Sequence, residues 1–114
     1  MIFIYKYLVP KGYLGITIFP FIFLKTKDLK LNQSLVNHEK IHLRQQLELL
    51  VIPFYIVYAV EFFIRLVYFK NWDMAYKNTS FEREAYCNEK DLEYLKHRKF
   101  WNFLKYLRSN DIRL

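Results

Sequence analysis

LVNHEKIHLRQQLELL, residues 35–50, decides how this 114-residue chain is read. It places two of the three histidines, His38 and His42, four positions apart, with Glu39 directly after the first. On an α-helix four residues advance about 400°, so the two imidazoles share one face, within about 40° and one turn apart. The helix is expected over residues 34–50. Ser34 is its candidate N-cap, and Pro53 ends it because proline lacks an amide and clashes with the carbonyl four residues back.

Upstream, residues 13–25 are rich in β-branched and aromatic side chains and show no helical stripe, which predicts extended structure within an N-terminal hairpin unit, residues 1–26. Residues 2–8 and 13–25 are expected to pair as a β-hairpin, with Pro20 placing its strand at a sheet margin or breaking it. The polar stretch KTKDLKLNQS connects to the helix. Downstream, Pro53 is tolerated in a first helical turn, so an apolar second helix is expected over 52–69, after a kink near Val51. KNWDMAYKN reads as a connection. Thr79 and Glu82 have the T-x-x-E spacing of a capping box and open a third helix over 80–97. FWNFLKYL is a fourth segment that continues it into a basic amphipathic tail, residues 98–114. The expected class is α+β: an N-terminal hairpin or short edge sheet followed by three to four helices, in a single domain spanning 1–114.

Aromatic residues make up 20% of the chain and the net charge is +7, features shared by thick cores and by membrane-surface proteins. Residues 95–114 carry six basic side chains (Lys96, Arg98, Lys99, Lys105, Arg108 and Arg113) against Asp111 alone. With Trp101, Phe103 and Tyr106, this tail predicts affinity for an anionic membrane surface. The uncharged run at residues 49–60 is too short to span a bilayer, and Glu61 and Arg65 interrupt the apolar residues beyond it, at an i, i+4 spacing that lets them pair with one another. The opening MIFIYKYLVPKG has neither a basic leader nor a small-residue cleavage site, which predicts a cytoplasmic location or one peripheral to the inner face of the membrane. Cys87, the single cysteine, excludes an intrachain disulfide and is expected to be a small buried residue. The basic charge belongs to no recognisable nucleic-acid-binding module, so no nucleic-acid partner is expected.

The chemistry concentrates at HEKIH, residues 38–42. Two imidazoles one turn apart can both reach a Zn²⁺ ion at about 2.0–2.1 Å, and the residue after the first ligand lies beside the metal without ligating it. Glu39 holds that position, where a carboxylate can take a proton from activated water and hand it to a leaving amine. Metal-assisted hydrolysis needs a third ligand. His97 lies among cations in KHRKF and reads as a solvated surface histidine. Glu82 and Glu84, then Glu89 and Asp91, are the acidic candidates. Glu82 is the best placed, because Ala85 three residues later lets its helix approach the first one closely, although Glu82 also reads as the acid of a capping box.

HEKIH followed forty positions later by EREAY resembles the gluzincin pattern of zinc metallopeptidases, HExxH with a glutamate on a later helix, as in thermolysin-like and minigluzincin proteins. HEKIHLRQQLELL, with FPFIF before it and FEREAYCNE after, is similar to small bacterial proteins of this zincin type, a likeness covering residues 16 to about 90. The resemblance implies Zn²⁺ held by His38, His42 and Glu82, Glu39 as general base, and a peptide or protein substrate. Many gluzincins carry an acid after the alanine where this chain has Tyr86, so a ring-holding acid is to be sought at Glu89, Asp91 or Asn88, with Tyr86 either steadying an oxyanion or packing as core. Of Gln45 and Gln46, one is expected at the rim of the site and the other in solvent or bonded to a loop. An extended peptide is expected to add to the edge at residues 16–24. A second reading is a catalytically inactive zincin-like scaffold acting at a membrane surface or on a partner protein.

Overall fold

The computed structural model describes residues 2–107. Three strands, β1 (Ile2–Ile4), β2 (Gly15–Ile18) and β3 (Phe21–Leu24), precede helices α1 (Gln33–Glu48), α2 (Ile52–Phe69), α3 (Trp72–Lys77), α4 (Ser80–Asn88) and α5 (Tyr94–His97). Short 3₁₀ segments lie at Lys27–Leu31 and Asn102–Tyr106. The class is α+β, a small mixed sheet followed by helices.

The hairpin lies inside residues 13–25 rather than between 2–8 and 13–25. β2 and β3 pair antiparallel with Ile18 opposite Phe21, so Phe19 and Pro20 form the turn; β1 pairs parallel with β3, giving the order β1-β3-β2. Proline has no amide for a ladder, and in the turn none is needed. Gly15 is required where it stands: a Cβ there would lie 3.0 Å from Leu24 Cδ2, 3.3 Å from the Phe23 carbonyl and 3.6 Å from Glu39 Cγ. Gly15→Val is therefore expected to lower stability by about 1–3 kcal/mol, measured by thermal unfolding, by crowding Leu24 and the Phe23 carbonyl of β3.

Asn32, not Ser34, caps α1, its side chain accepting from the Leu35 amide. α1 then ends in a Schellman turn: the Val51 amide donates to the Gln46 carbonyl (2.7 Å) and the Leu50 amide to Leu47 (3.2 Å). The left-handed position usually given to glycine is held by Leu50 (φ 60°), and Val51 (φ 63°) follows in a γ-turn closed by Ile52 N–H to Leu50 O (2.7 Å). This corner is the kink expected near Val51, and α2 fills the anticipated 52–69. Its charges do not pair with each other. Glu61 accepts from the Ser80 amide and hydroxyl, and Arg65 donates to the Leu107 carbonyl at 2.9 Å.

Two further departures come from side chains that bond to backbone. The expected connection at 70–78 contains α3, begun by Asn71, which accepts from the Met74 amide at 3.0 Å. The helix expected over 80–97 stops at Asn88, where Asn37 Nδ2 reaches across from α1 and donates to the carbonyls of Asn88, Glu89 and Asp91 at 2.8–3.2 Å. The chain bends there, re-forms as α5, and a left-handed Trp101 (φ 57°) separates the final 3₁₀ segment. Cys87 is exposed, not buried.

The apolar core is divided. Ile41, Ala85 and Tyr94 join α1 to α4 and α5, as the small Ala85 led one to expect, while Phe54, Phe81 and Phe103 stack beneath α2. Phe103 thus belongs to the core and is lost to any membrane-facing tail; Arg98 is likewise buried. Arg108, Asp111 and Arg113 of the proposed tail lie outside the described residues. Between the two apolar clusters runs a buried polar layer, and among the described residues no buried side-chain nitrogen or oxygen lacks a partner.

Candidate metal centre

α1 and α4 face one another across this polar layer. His38 and His42 project from α1 with their Nε2 atoms 3.2 Å apart, and Glu82 Oε1 from α4 stands 3.2 Å from His38 Nε2 and 3.1 Å from His42 Nε2. All three residues are buried. Thr79 caps α4 by accepting from the Glu82 amide (3.3 Å), but the Glu82 carboxylate does not return to complete a capping box. It is spent on the two rings.

The imidazole tautomers follow from their outer partners. His38 Nδ1 lies 2.8 Å from Glu89 Oε1, and a carboxylate only accepts, so Nδ1 donates. His42 Nδ1 lies 2.8 Å from Gln45 Oε1, whose amide nitrogen is committed to the Phe81 carbonyl and Glu84 Oε1, so this Nδ1 donates as well. Each ring therefore aims an Nε2 lone pair inward, and a carboxylate oxygen meets both. Three acceptors within hydrogen-bonding distance of each other demand a cation.

In the metal-free chain that cation is a proton. Burial opposes charging His38, but hydrogen bonds to Glu82 and Glu89 outweigh it and push its pKa up to about 10. His42 is also raised, burial being outweighed by the charge of and bond to Glu82. Burial would raise Glu82, yet the two imidazoles hold it well below the usual carboxylate range.

Zn²⁺ fits the same donors. Ligands placed tetrahedrally about 2.0–2.1 Å from one ion stand about 3.3–3.4 Å from each other, close to the 3.1–3.2 Å observed. Two neutral imidazoles and one carboxylate are a set that leaves such an ion Lewis-acidic, and both rings carry the outer hydrogen bonds that orient metal-binding histidines.

Glu39, directly after the first histidine, is buried beside the cluster and tied to the sheet: the Thr17 hydroxyl on β2 donates to Glu39 Oε1 at 2.6 Å. Two cavities meet at this carboxylate. One of about 320 Å³ reaches His38, Tyr86 and Glu89; the other, about 780 Å³, is walled by Ile16, Phe54, Tyr55 and Phe62 and reaches His42 and Glu82. Tyr13, Gly15, Glu39 and Tyr76 border both.

The other candidates separate cleanly. Glu84 turns away from the rings, accepting from Arg98, Tyr94 and Gln45. Asp91 pairs with His97 at the surface, and Asn88 bonds Glu84 O and Tyr106. Of the three proposed ring-holding residues, Glu89 takes the place. Tyr86 packs edge-on against His38 with ring centroids 4.7 Å apart, and burial raises its phenol pKa.

Neither glutamine after the motif is in solvent: Gln45 orients His42, while Gln46 accepts from the Phe19 amide and donates to the Thr17 carbonyl, both at 2.8 Å. The edge expected at residues 16–24 is therefore narrower: β3 is the central strand, paired on both sides, and Gln46 occupies part of the outer edge of β2. Two residues had no motif to mark them. Thr17 reads as an ordinary strand residue, and Tyr58, whose hydroxyl donates to Glu82 Oε2 at 3.0 Å, reads as apolar helix. No family model, curated protein or solved structure matches the chain.

Proposed function

We propose that this protein is a gluzincin-like zinc metallopeptidase, with His38, His42 and Glu82 holding Zn²⁺ and Glu39 acting as general base. The observation that carries the reading is the convergence of the two Nε2 atoms and Glu82 Oε1 within 3.2 Å of one another, next to a carboxylate on two cavities. Zn²⁺ bound there supplies a Lewis acid that brings the pKa of water from about 15.7 to about 7 and polarises a carbonyl. Glu39 then takes the proton of the attacking water and delivers it to the departing amine. Thr17 steadies one oxygen of Glu39 and leaves the other for that transfer. Tyr58 stays a neutral donor, since burial and the adjacent Glu82 carboxylate hold its phenol well above the usual range, and it fixes the carboxylate that completes the ligand set. A peptide enters through the cavities flanking Glu39, its apolar side chain toward Phe54 and Phe62, with backbone pairing confined to the Gly15 end of β2.

Metal analysis of purified protein tests this directly. Wild type is expected to carry one equivalent of zinc, and His38→Ala to lose more than the about 10- to 100-fold in affinity that removal of a ligand's outer hydrogen-bond partner costs. Because the hydrogen bonds to Glu82 and Glu89 raise the His38 pKa above its ordinary value, zinc uptake near pH 7 should release protons, and affinity should rise with pH. Calorimetry in buffers of different ionisation enthalpy reads that release. Equal, low zinc content in wild type and His38→Ala would overturn the proposal.

A further inference from the structure

We infer that the outward face of α2 is a membrane-docking surface that seats the domain on an anionic bilayer, the helix lying in the plane of the interface. Of its 18 residues only Phe54 and Glu61 are buried. Ile52, Ile56, Val60, Ile64 and Val67 recur every three to four positions, each between 55% and 76% exposed, so one continuous stripe of the helix is apolar and uncovered. A helix on a water-facing surface turns its charges outward. α2 does the opposite. Its two charged residues face the protein, Glu61 bonded to Ser80 and Arg65 to the Leu107 carbonyl, and the outward stripe carries no charge at all.

The chemistry of the partner is set by the surroundings of this stripe. The helix is about 27 Å long, a ridge suited to a flat apolar boundary. At its C-terminal end Tyr68, Lys70 and Trp72 are exposed, the aromatic and basic combination that settles at the headgroup level. The chain's charge of +7 attracts an anionic lipid surface and repels a second copy of itself, which sets lipid above self-association as the occupant. The helix is long and apolar enough to cross a membrane, but its inner face is engaged: Phe54 packs on Phe81 with ring centroids 4.7 Å apart, and Glu61 holds the first turn of α4. Insertion across the bilayer would strip those contacts and leave Glu61 in hydrocarbon, so the helix lies on the surface. Phe54, Tyr55 and Phe62 also wall the larger cavity.

Vesicle flotation of the full chain tests the inference without reference to metal or activity. Wild type is expected to rise with phosphatidylcholine–phosphatidylglycerol vesicles and less with phosphatidylcholine alone. Val60→Glu/Ile64→Glu should lose more than about tenfold of the bound fraction while melting as wild type does. Should the double variant fold poorly, Val67→Glu alone, at the most exposed apolar position of the stripe, is expected to weaken flotation in the same direction. Wild type remaining at the bottom of the gradient with both vesicles, or charged variants floating as well as wild type, would overturn it. So would sedimentation showing a dimer that the double variant dissolves while neither protein floats, since the face would then belong to a second copy.

Discussion

Glu39→Gln is expected to cut peptide hydrolysis by roughly 10²–10⁴-fold while leaving zinc content unchanged. Glutamine keeps the length and the oxygen that accepts from Thr17, so the packing against β2 survives. What disappears is a basic group able to take a proton at the junction of the two cavities. The ligands are untouched, because Glu39 bonds neither ring. The paired measurements are kcat on a peptide substrate and metal stoichiometry on the same preparation. Activity within a few fold of wild type would remove Glu39 from the mechanism, whereas loss of zinc along with activity would show that the residue builds the site instead of working in it.

Arg98→Ala should give the largest loss of stability, about 3–5 kcal/mol, with a fall in Tm of more than about 10 °C. Arg98 is buried and donates to both oxygens of Glu84 and, at 2.6 Å, to Glu48 Oε2. Removing the guanidinium leaves two carboxylates, one of them fully buried, with no countercharge. The consequence reaches the candidate metal centre, since Glu84 also accepts from the Gln45 amide that orients His42. Weaker zinc binding is therefore expected alongside the lower Tm. Lys96→Ala supplies the contrast: its pair with Glu93 lies in solvent, and its removal should change Tm little. An Arg98→Ala variant melting within a degree or two of wild type would show that the network is not needed for the fold.

Much of the site was legible because helical geometry is local. His38, Glu39 and His42 are set relative to one another by backbone hydrogen bonds within a single turn, and T-x-x-E does mark the start of α4. The extent of α2 was legible for the same reason, a proline at its head and an apolar stretch behind it interrupted only by Glu61 and Arg65. Legibility ended where a side chain from one segment bonds to backbone in another. Asn37 ends α4 from fifty-odd positions away, and Gln46 closes part of the β2 edge with an amide that imitates a strand. In the amino-acid order both look like ordinary helix residues. Two residues of the expected tail lie inside for a related reason: Arg98 and Phe103 look like surface charge and membrane anchor until the ion network and the Phe54–Phe81 stack draw them inward.

Spacing along the chain was thus enough to specify a pair of imidazoles on one face with a carboxylate beside them, since 3.6 residues per turn leaves no other outcome once the helix forms. Packing chose the rest: Glu82 over Glu84, Glu89 and Gln45 as holders of the two rings, Thr17 for Glu39 and Tyr58 for Glu82. These partners stand 3 to 51 residues from the groups they orient, and all but Gln45 lie outside the element they serve. Their positions answer to the fit of α1 against α4, α2 and β2, and to the requirement that every polar group buried in that layer find a partner.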